Sequence, residues 1–283
     1  MVINTDFLRQ LESLSIILRK RVASSFVGDR RAESTGTGLV FSDYANYSYG
    51  DDFKNIDWKA YGKTERLYVK RYEEERNLTV HILIDLSGSM DFGDKIKKSE
   101  FASKIALGFA YIALKNNEKF VLSTYDDKLE FFRAHKGKHQ LSAILHYLNE
   151  KKAQGVSSFQ NSLMTYKGLI GSKAMIVIIS DFFYDVEEIK NILQKYKKNK
   201  IKLIQILDVM EKNMNIEGDY NLIDLESNNK MRTFIDPFLN KKYFEKLDYH
   251  NALIKDSCDS VKADFYSVCS DENIFDVFYR ILS

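Results

Sequence analysis

The stretch His81-Ile82-Leu83-Ile84-Asp85-Leu86-Ser87-Gly88-Ser89-Met90 is an apolar run that ends abruptly in one carboxylate and two hydroxyls. Strands of parallel sheets are covered on both faces and read as continuous apolar runs. Open α/β sheets collect ligands beyond the carboxyl ends of their strands, and Asp85 stands at such an end. Asp-x-Ser-x-Ser places oxygen donors on alternate residues of one extended turn, and Gly88 eases the bend that brings them round a single point. All-oxygen donors suit a hard cation. Magnesium takes a near-octahedral shell and keeps several waters, so it needs few protein ligands. The same residues also read as a polar strand-to-helix turn in which Ser89 or Asp91 caps the helix that follows.

A second run of the same kind, Ala174-Met175-Ile176-Val177-Ile178-Ile179-Ser180-Asp181, also ends in a carboxylate, and Gly155-Val156-Ser157-Ser158 lies between the two. Three such loops in this order resemble the metal-ion-dependent adhesion site of von Willebrand factor A domains. The resemblance implies that Ser87, Ser89 and Ser157 bind one Mg2+ or Mn2+ ion directly, with Asp85 and Asp181 acting mostly through water. Ser157 stands where that family has threonine; it keeps the hydroxyl and loses the methyl that restricts the rotamer. Ser158 is the alternative ligand from the same loop.

Composition bounds the rest. With 283 residues, 45% of them hydrophobic, the chain can bury a sizeable core. Its 42 basic and 40 acidic residues nearly cancel, which disfavours nucleic acid as a partner. Asp6, Arg9 and Glu12 interrupt the first residues, and no apolar run approaches the roughly 18 residues of a membrane span. A soluble, cytoplasmic protein is the expectation. Cys258 and Cys269 have neither Cys-x-x-Cys spacing nor a disulfide-dense context, and read as reduced packing residues.

Along the chain, Phe7, Leu8, Leu11, Leu14, Ile17 and Leu18 predict an amphipathic helix from Thr5 to about Ala23 that packs on its own domain. Short strands and turns follow. Gly50-Asp51-Asp52, with Phe53, Ile56, Asp57 and Trp58 after it, reads as a turn stapled by buried aromatics; a two-metal polymerase reading fails for want of a basic channel. Phe101, Ala102, Ile105, Phe109 and Ile112 mark a helix over the sheet. Lys119–Tyr125 and Lys128–Phe132 read as strands about an Asp126-Asp127 turn, and helices are expected near His139–Leu148, Phe159–Leu169 and Val186–Leu193. His135, His139 and His146 lack the spacing of one helix face and read as surface residues. The lysines from Lys195 to Lys200 form a solvated helix end. Ile201–Leu207 is a buried strand, residues 210–236 hold an inserted hairpin, and a helix from Phe238, a strand Asp264–Cys269 and a terminal helix Asn273–Leu282 complete the pattern.

The expected fold is α/β, a doubly wound, mostly parallel sheet over residues 78–283, with residues 1–77 an amino-terminal extension of helix and short strands packing on it. Tyr47-x-x-Gly50-Asp51-Asp52-x-x-x-Ile56-Asp57-Trp58, followed by Leu67-Tyr68-Val69-Lys70-x-Tyr72-Glu73-Glu74-Glu75, narrows the resemblance. It is similar to the bacterial domain-of-unknown-function family number fifty-eight, which places this block just ahead of a von Willebrand A domain. Ala45 and Gly62-Lys63 depart from that family's usual arginine and Ala-Arg.

The resemblance implies a non-enzymatic, metal-dependent interaction module. Its ion takes a Glu or Asp of a partner protein as the missing ligand, and the partner it points to is a MoxR-type AAA+ ATPase or its client. The alternative is a phosphohydrolase with Asp85 as nucleophile; that chemistry wants a second acid two residues on, where this chain has Ser87.

Overall fold

A computed structural model of the chain describes residues 7, 10–12, 39–74, 79–116, 118–132, 140–170, 174–213, 216–226 and 229–282. Two compact units divide it: Ile16–Asn77 with Leu282–Ser283, and Met1–Ser15 with Leu78–Ile281.

In the smaller unit β1 (Leu39–Asn46) pairs antiparallel with β2 (Tyr68–Glu74), and a 3-10 turn Phe53–Asn55 leads to α1 (Trp58–Thr64). Carboxylates hold the connection. Asp51 accepts from the Ser48 amide at 2.8 Å and Asp52 from the Lys54 amide at 3.0 Å. Asp57 caps α1 by accepting from the Lys59 and Ala60 amides, while its second oxygen accepts from the Tyr44 hydroxyl at 2.8 Å and faces Lys70 Nζ at 3.2 Å. The Tyr44 hydroxyl, the Ala60 amide and Lys70 together hold the Asp57 carboxyl down at about 2. Buried aromatics do not staple this turn as expected: Ile56 is buried, but Phe53 is 66% and Trp58 62% exposed. Backbone amides left free by short helical turns need acceptors, and aspartates supply them directly.

The larger unit is built on a six-stranded sheet of order β10-β7-β6-β3-β4-β5. Its elements are β3 (Thr79–Asp85), a 3-10 turn Gly88–Asp91, α2 (Lys98–Lys115), β4 (Lys119–Tyr125), β5 (Leu129–Phe131), α3 (Gln140–Glu150), α4 (Phe159–Lys167), β6 (Ala174–Ser180), α5 (Val186–Tyr196), β7 (Lys200–Leu207), α6 (Val209–Lys212), β8 (Gly218–Ile223), β9 (Lys230–Ile235), α7 (Pro237–Asp259), β10 (Asp264–Cys269) and α8 (Ile274–Leu282). All neighbours in the sheet are parallel except β5, which runs antiparallel along β4.

Burial explains the apolar runs. Every residue of β6 and all but the first of β3 are buried. Leu83, Ile176, Ile178, Ile201 and Leu203 face Phe159, Leu163 and Tyr166 of α4, Ile189, Ile192, Leu193 and Tyr196 of α5, and Ile254 and Cys258 of α7. Asp185 starts α5 by accepting from the Glu187 amide, and the buried side chains then recur at helical spacing. α2 also packs on the sheet, and Gly108 lets α8 approach: a Cβ there would lie 2.0 Å from the Phe278 ring. Each fully buried leucine, isoleucine or phenylalanine contributes roughly 1.5–3 kcal/mol of transfer free energy.

Of the expected amino-terminal helix, Phe7 and Gln10–Glu12 are helical and the remainder lies outside the described residues. Phe7 and Leu11 are buried, and the Phe7 ring centroid is 6.3 Å from that of Phe275. His135 and His139 also lie outside the described residues, whereas His146 is exposed beside Glu150. Among the described residues no helix is long and apolar enough to cross a membrane.

Chain order sets the position of the site. From β3 the chain moves outward through β4 and β5, then returns to the other side of β3 as β6 and continues through β7 to β10. The direction of winding reverses between β3 and β6, and in such sheets the crevice for a ligand opens at the carboxyl ends of the two strands flanking the reversal. Those strands are the two that the carboxylates Asp85 and Asp181 terminate or follow.

Candidate functional site

Asp85 is fully buried, and both of its carboxylate oxygens are engaged. Oδ1 accepts from the Ser87 amide at 2.8 Å, which folds the loop after β3 back on itself. Oδ2 accepts from Ser180 Oγ at 2.8 Å and from the Tyr184 hydroxyl. Burial pushes the Asp85 carboxyl up to about 6, the charge of Asp181 adds to the shift, and hydrogen bonds from Tyr184 and Ser87 oppose it.

The folded-back turn brings Ser87 Oγ to 3.1 Å from Ser89 Oγ. Ligands 2.0–2.1 Å from a magnesium ion in octahedral geometry are about 2.9 Å apart along an edge, so these two hydroxyls stand at nearly the spacing of adjacent vertices. Gly88, between them, donates its amide to the Gly155 carbonyl at 2.8 Å, which joins the first loop to the second. A Cβ at Gly88 would sit 2.4 Å from the Leu225 carbonyl oxygen and 3.1 Å from that of Gly155. The segment after β8 therefore lies against the backbone of the first loop.

Ser157 joins the cluster through Tyr184. Its Oγ is 2.9 Å from the Tyr184 hydroxyl, which is in turn 3.0 Å from Ser180 Oγ and donates to Asp85. Ser158 is directed elsewhere, donating to the Asp126 carbonyl at 2.8 Å and lying 2.9 Å from Ser162 Oγ. Tyr184 is clamped by the Phe159 ring, stacked at a centroid distance of 4.4 Å, and burial holds its hydroxyl well above the ordinary tyrosine value. The turn carrying Tyr184 is strained: Phe182 has φ +55, a left-handed conformation rare for a bulky side chain. Contacts on every side keep it there. Phe182 donates its amide to Ser180 Oγ, its carbonyl is 2.8 Å from His250 Nε2, and the Asp181 carbonyl accepts from Gln205 Nε2.

Asp181 is buried beyond the end of β6. Its Oδ2 accepts from Lys98 Nζ at 2.9 Å, and the same ammonium reaches Glu211 Oε1 at 2.7 Å. Lys98 is 1% exposed. Burial pulls its ammonium down, but the Asp181 and Glu211 carboxylates outweigh burial and the net shift is upward. Ser89, Ser157 and Tyr184 are half-buried, so the cluster retains a face toward solvent, with exposed Phe92, Val156 and Phe183 next to it in sequence.

The structure thus brings Asp85, Ser87 and Ser89 together, reaches Ser157 through Tyr184, and ties Asp181 to a lysine. Tyr184, Ser180, Lys98 and Glu211 are additional to the sequence reading. Lys98 left a signal: with Phe101, Ala102 and Ile105 it falls at i, i+3, i+4 and i+7, a lysine inside the buried stripe of α2. Tyr184 left none, because its direction depends on the left-handed turn at Phe182. Among the described residues no group of three or more His, Cys, Asp and Glu side chains is arranged to hold a metal ion, so any ion here would rest mainly on hydroxyls.

Residues 43–252 match the family described as Protein of unknown function DUF58. The chain belongs to that family. Its relatives include the uncharacterized protein Rv1480 of Mycobacterium tuberculosis, 20% identical over 268 residues, which span 93% of this chain and 84% of the relative. Solved structures similar to this DUF58 chain include an aerotolerance-related membrane protein from Bacteroides fragilis (13% identity, 72% of this chain and 96% of that one, TM-score 0.43). The VWA domain of SpRpn10 is similar to the same extent (15% identity, 71% and 93%, TM-score 0.44).

Proposed function

We propose that this DUF58 chain is a non-enzymatic, divalent-metal-dependent protein-interaction module. The observation that carries the reading is the pair of hydroxyls, Ser87 and Ser89, held 3.1 Å apart by a turn that Asp85 closes, at the reversal point of the sheet. Ser87, Ser89 and Ser157 would hold Mg2+ or Mn2+, with Asp85 and Asp181 supporting it. Bound there, the ion supplies an electrophilic position for a carboxylate of a partner protein.

The remaining chemistry belongs to the chain. Asp85 orients the Ser87 amide, and Tyr184 holds Asp85 through Oδ2 while its oxygen accepts from Ser157, a contact that Ser157 would exchange for an ion. Neutral hydroxyls leave the ion's charge largely uncompensated, which favours an incoming Glu or Asp over a neutral ligand. The family resemblance points to a MoxR-type AAA+ ATPase or its client as the protein that presents it. An Asp85 nucleophile fits less well: both its oxygens are engaged, it has no exposure, and Ser87 stands where the second acid is needed.

Association with a purified MoxR-type ATPase, measured by biolayer interferometry with magnesium and then with excess EDTA, tests the reading. Binding should require the metal and should be lost when the partner's contacting Glu or Asp is replaced by its amide. Unchanged affinity in EDTA would exclude the adhesion mechanism for that partner.

A further inference from the structure

Lys98 is among the largest fully buried side chains of the protein. Burying an ammonium is costly, and an apolar side chain of the same length at this point of the α2 stripe would avoid that cost. Its position is fixed from several sides. Nζ lies 2.9 Å from Asp181 Oδ2 and 2.7 Å from Glu211 Oε1, and it sits 5.9 Å and 5.4 Å from the ring centroids of Phe92 and Phe183. Glu211 is fixed in turn, because its other oxygen accepts from the Asp208 amide at 2.8 Å in the capping box of α6.

We propose that Lys98 is an internal cation that competes with the divalent ion for Asp181 and so sets the ion's affinity; this rests on the metal reading above. While Lys98 holds Asp181 Oδ2, that oxygen is not free to orient a water on the ion. Glu211 tempers the competition by drawing the ammonium toward α6. Ion affinity and the Lys98–Asp181 contact are therefore linked reciprocally: whatever weakens one strengthens the other.

The arrangement predicts shifts of opposite sign from two neighbouring substitutions. Lys98→Met keeps the unbranched shape and most of the length of the side chain and removes the charge, so magnesium should bind at least tenfold more tightly. Glu211→Gln leaves the whole ammonium to Asp181, so magnesium should bind several-fold more weakly. Calorimetric titration with magnesium chloride reads both, and thermal melting with and without magnesium gives a second readout, with the larger magnesium-induced rise in Tm expected for Lys98→Met. If that variant does not fold, Lys98→Met combined with Glu211→Gln removes one of the two stranded carboxylates and should still bind more tightly than Glu211→Gln alone. Wild-type affinity in Lys98→Met, or shifts of the same sign in both single variants, would overturn the proposal while leaving the metal reading intact. A wild-type titration that Ser87→Ala with Ser89→Ala leaves unchanged would overturn the metal reading instead. If no protein in the set binds magnesium, both fall.

Discussion

The Tyr184 hydroxyl donates to Asp85 Oδ2 and so ties the turn after β6 to the end of β3, with Ser157 on the same hydroxyl at 2.9 Å. One phenol thus joins the three segments that carry the candidate ligands. Tyr184→Phe should lower stability by about 1 kcal/mol for the lost hydrogen bond, since the ring still stacks on Phe159. It should also raise the Asp85 carboxyl further, because this hydrogen bond is one of the contacts that oppose burial. Chemical denaturation measures the first effect and carboxyl chemical shifts against pH the second; an unchanged Asp85 titration would show that the hydroxyl does not bear on the carboxylate.

Gly88 has no room for a side chain, with Leu225 over it. Gly88→Ala should displace the Leu225 backbone and cost about 1–3 kcal/mol. The change should appear as faster amide exchange through β8 and β9, a two-stranded hairpin with exposed Tyr220, Leu222 and Met231 on one face. Wild-type exchange throughout the hairpin would mean that the Leu225 contact does not hold it down.

His81 gives the fold a pH dependence. It is buried with Nδ1 2.7 Å from the Tyr166 hydroxyl, and burial lowers its pKa to about 4. The unfolded chain takes up that proton near pH 6.5 and the folded one only near 4, so this contribution is complete above about 6.5 and lost as pH falls toward 4. Asp85 acts in the opposite sense. Its raised value lets the folded state take up a proton first, so its unfavourable contribution at neutral pH shrinks as pH falls from about 6 toward 4. The histidine is isolated by comparison: wild type should lose more stability than His81→Gln across this window, and parallel pH profiles would contradict the assignment.

Much of the sheet was legible because its strands are buried on both faces. Ala174–Ser180 and Asp264–Cys269 occupy the ranges that their apolar patterns indicate, and the helices expected from Phe159, Val186, Phe238 and Asn273 begin within one residue of those positions. The smaller unit was read less well. Phe53 and Trp58 suggested a hydrophobic staple, yet the capping carboxylates Asp51, Asp52 and Asp57 organise the turn and the two rings stay exposed. The closeness of Asp85, Ser87 and Ser89 was legible because Asp-x-Ser-x-Ser carries its own local geometry. Glu211 reaches Lys98 from 113 positions away and Tyr184 reaches Asp85 from 99, pairings that no local spacing encodes.

If Ser87 and Ser89 are hydroxyl ligands to a divalent ion, calorimetric titration of magnesium must distinguish wild type from the Ser87→Ala, Ser89→Ala double variant. Wild type should bind one ion per chain and the double variant none, with both proteins folded by circular dichroism. Equal binding by the two, or no binding by wild type at millimolar magnesium, would contradict that role.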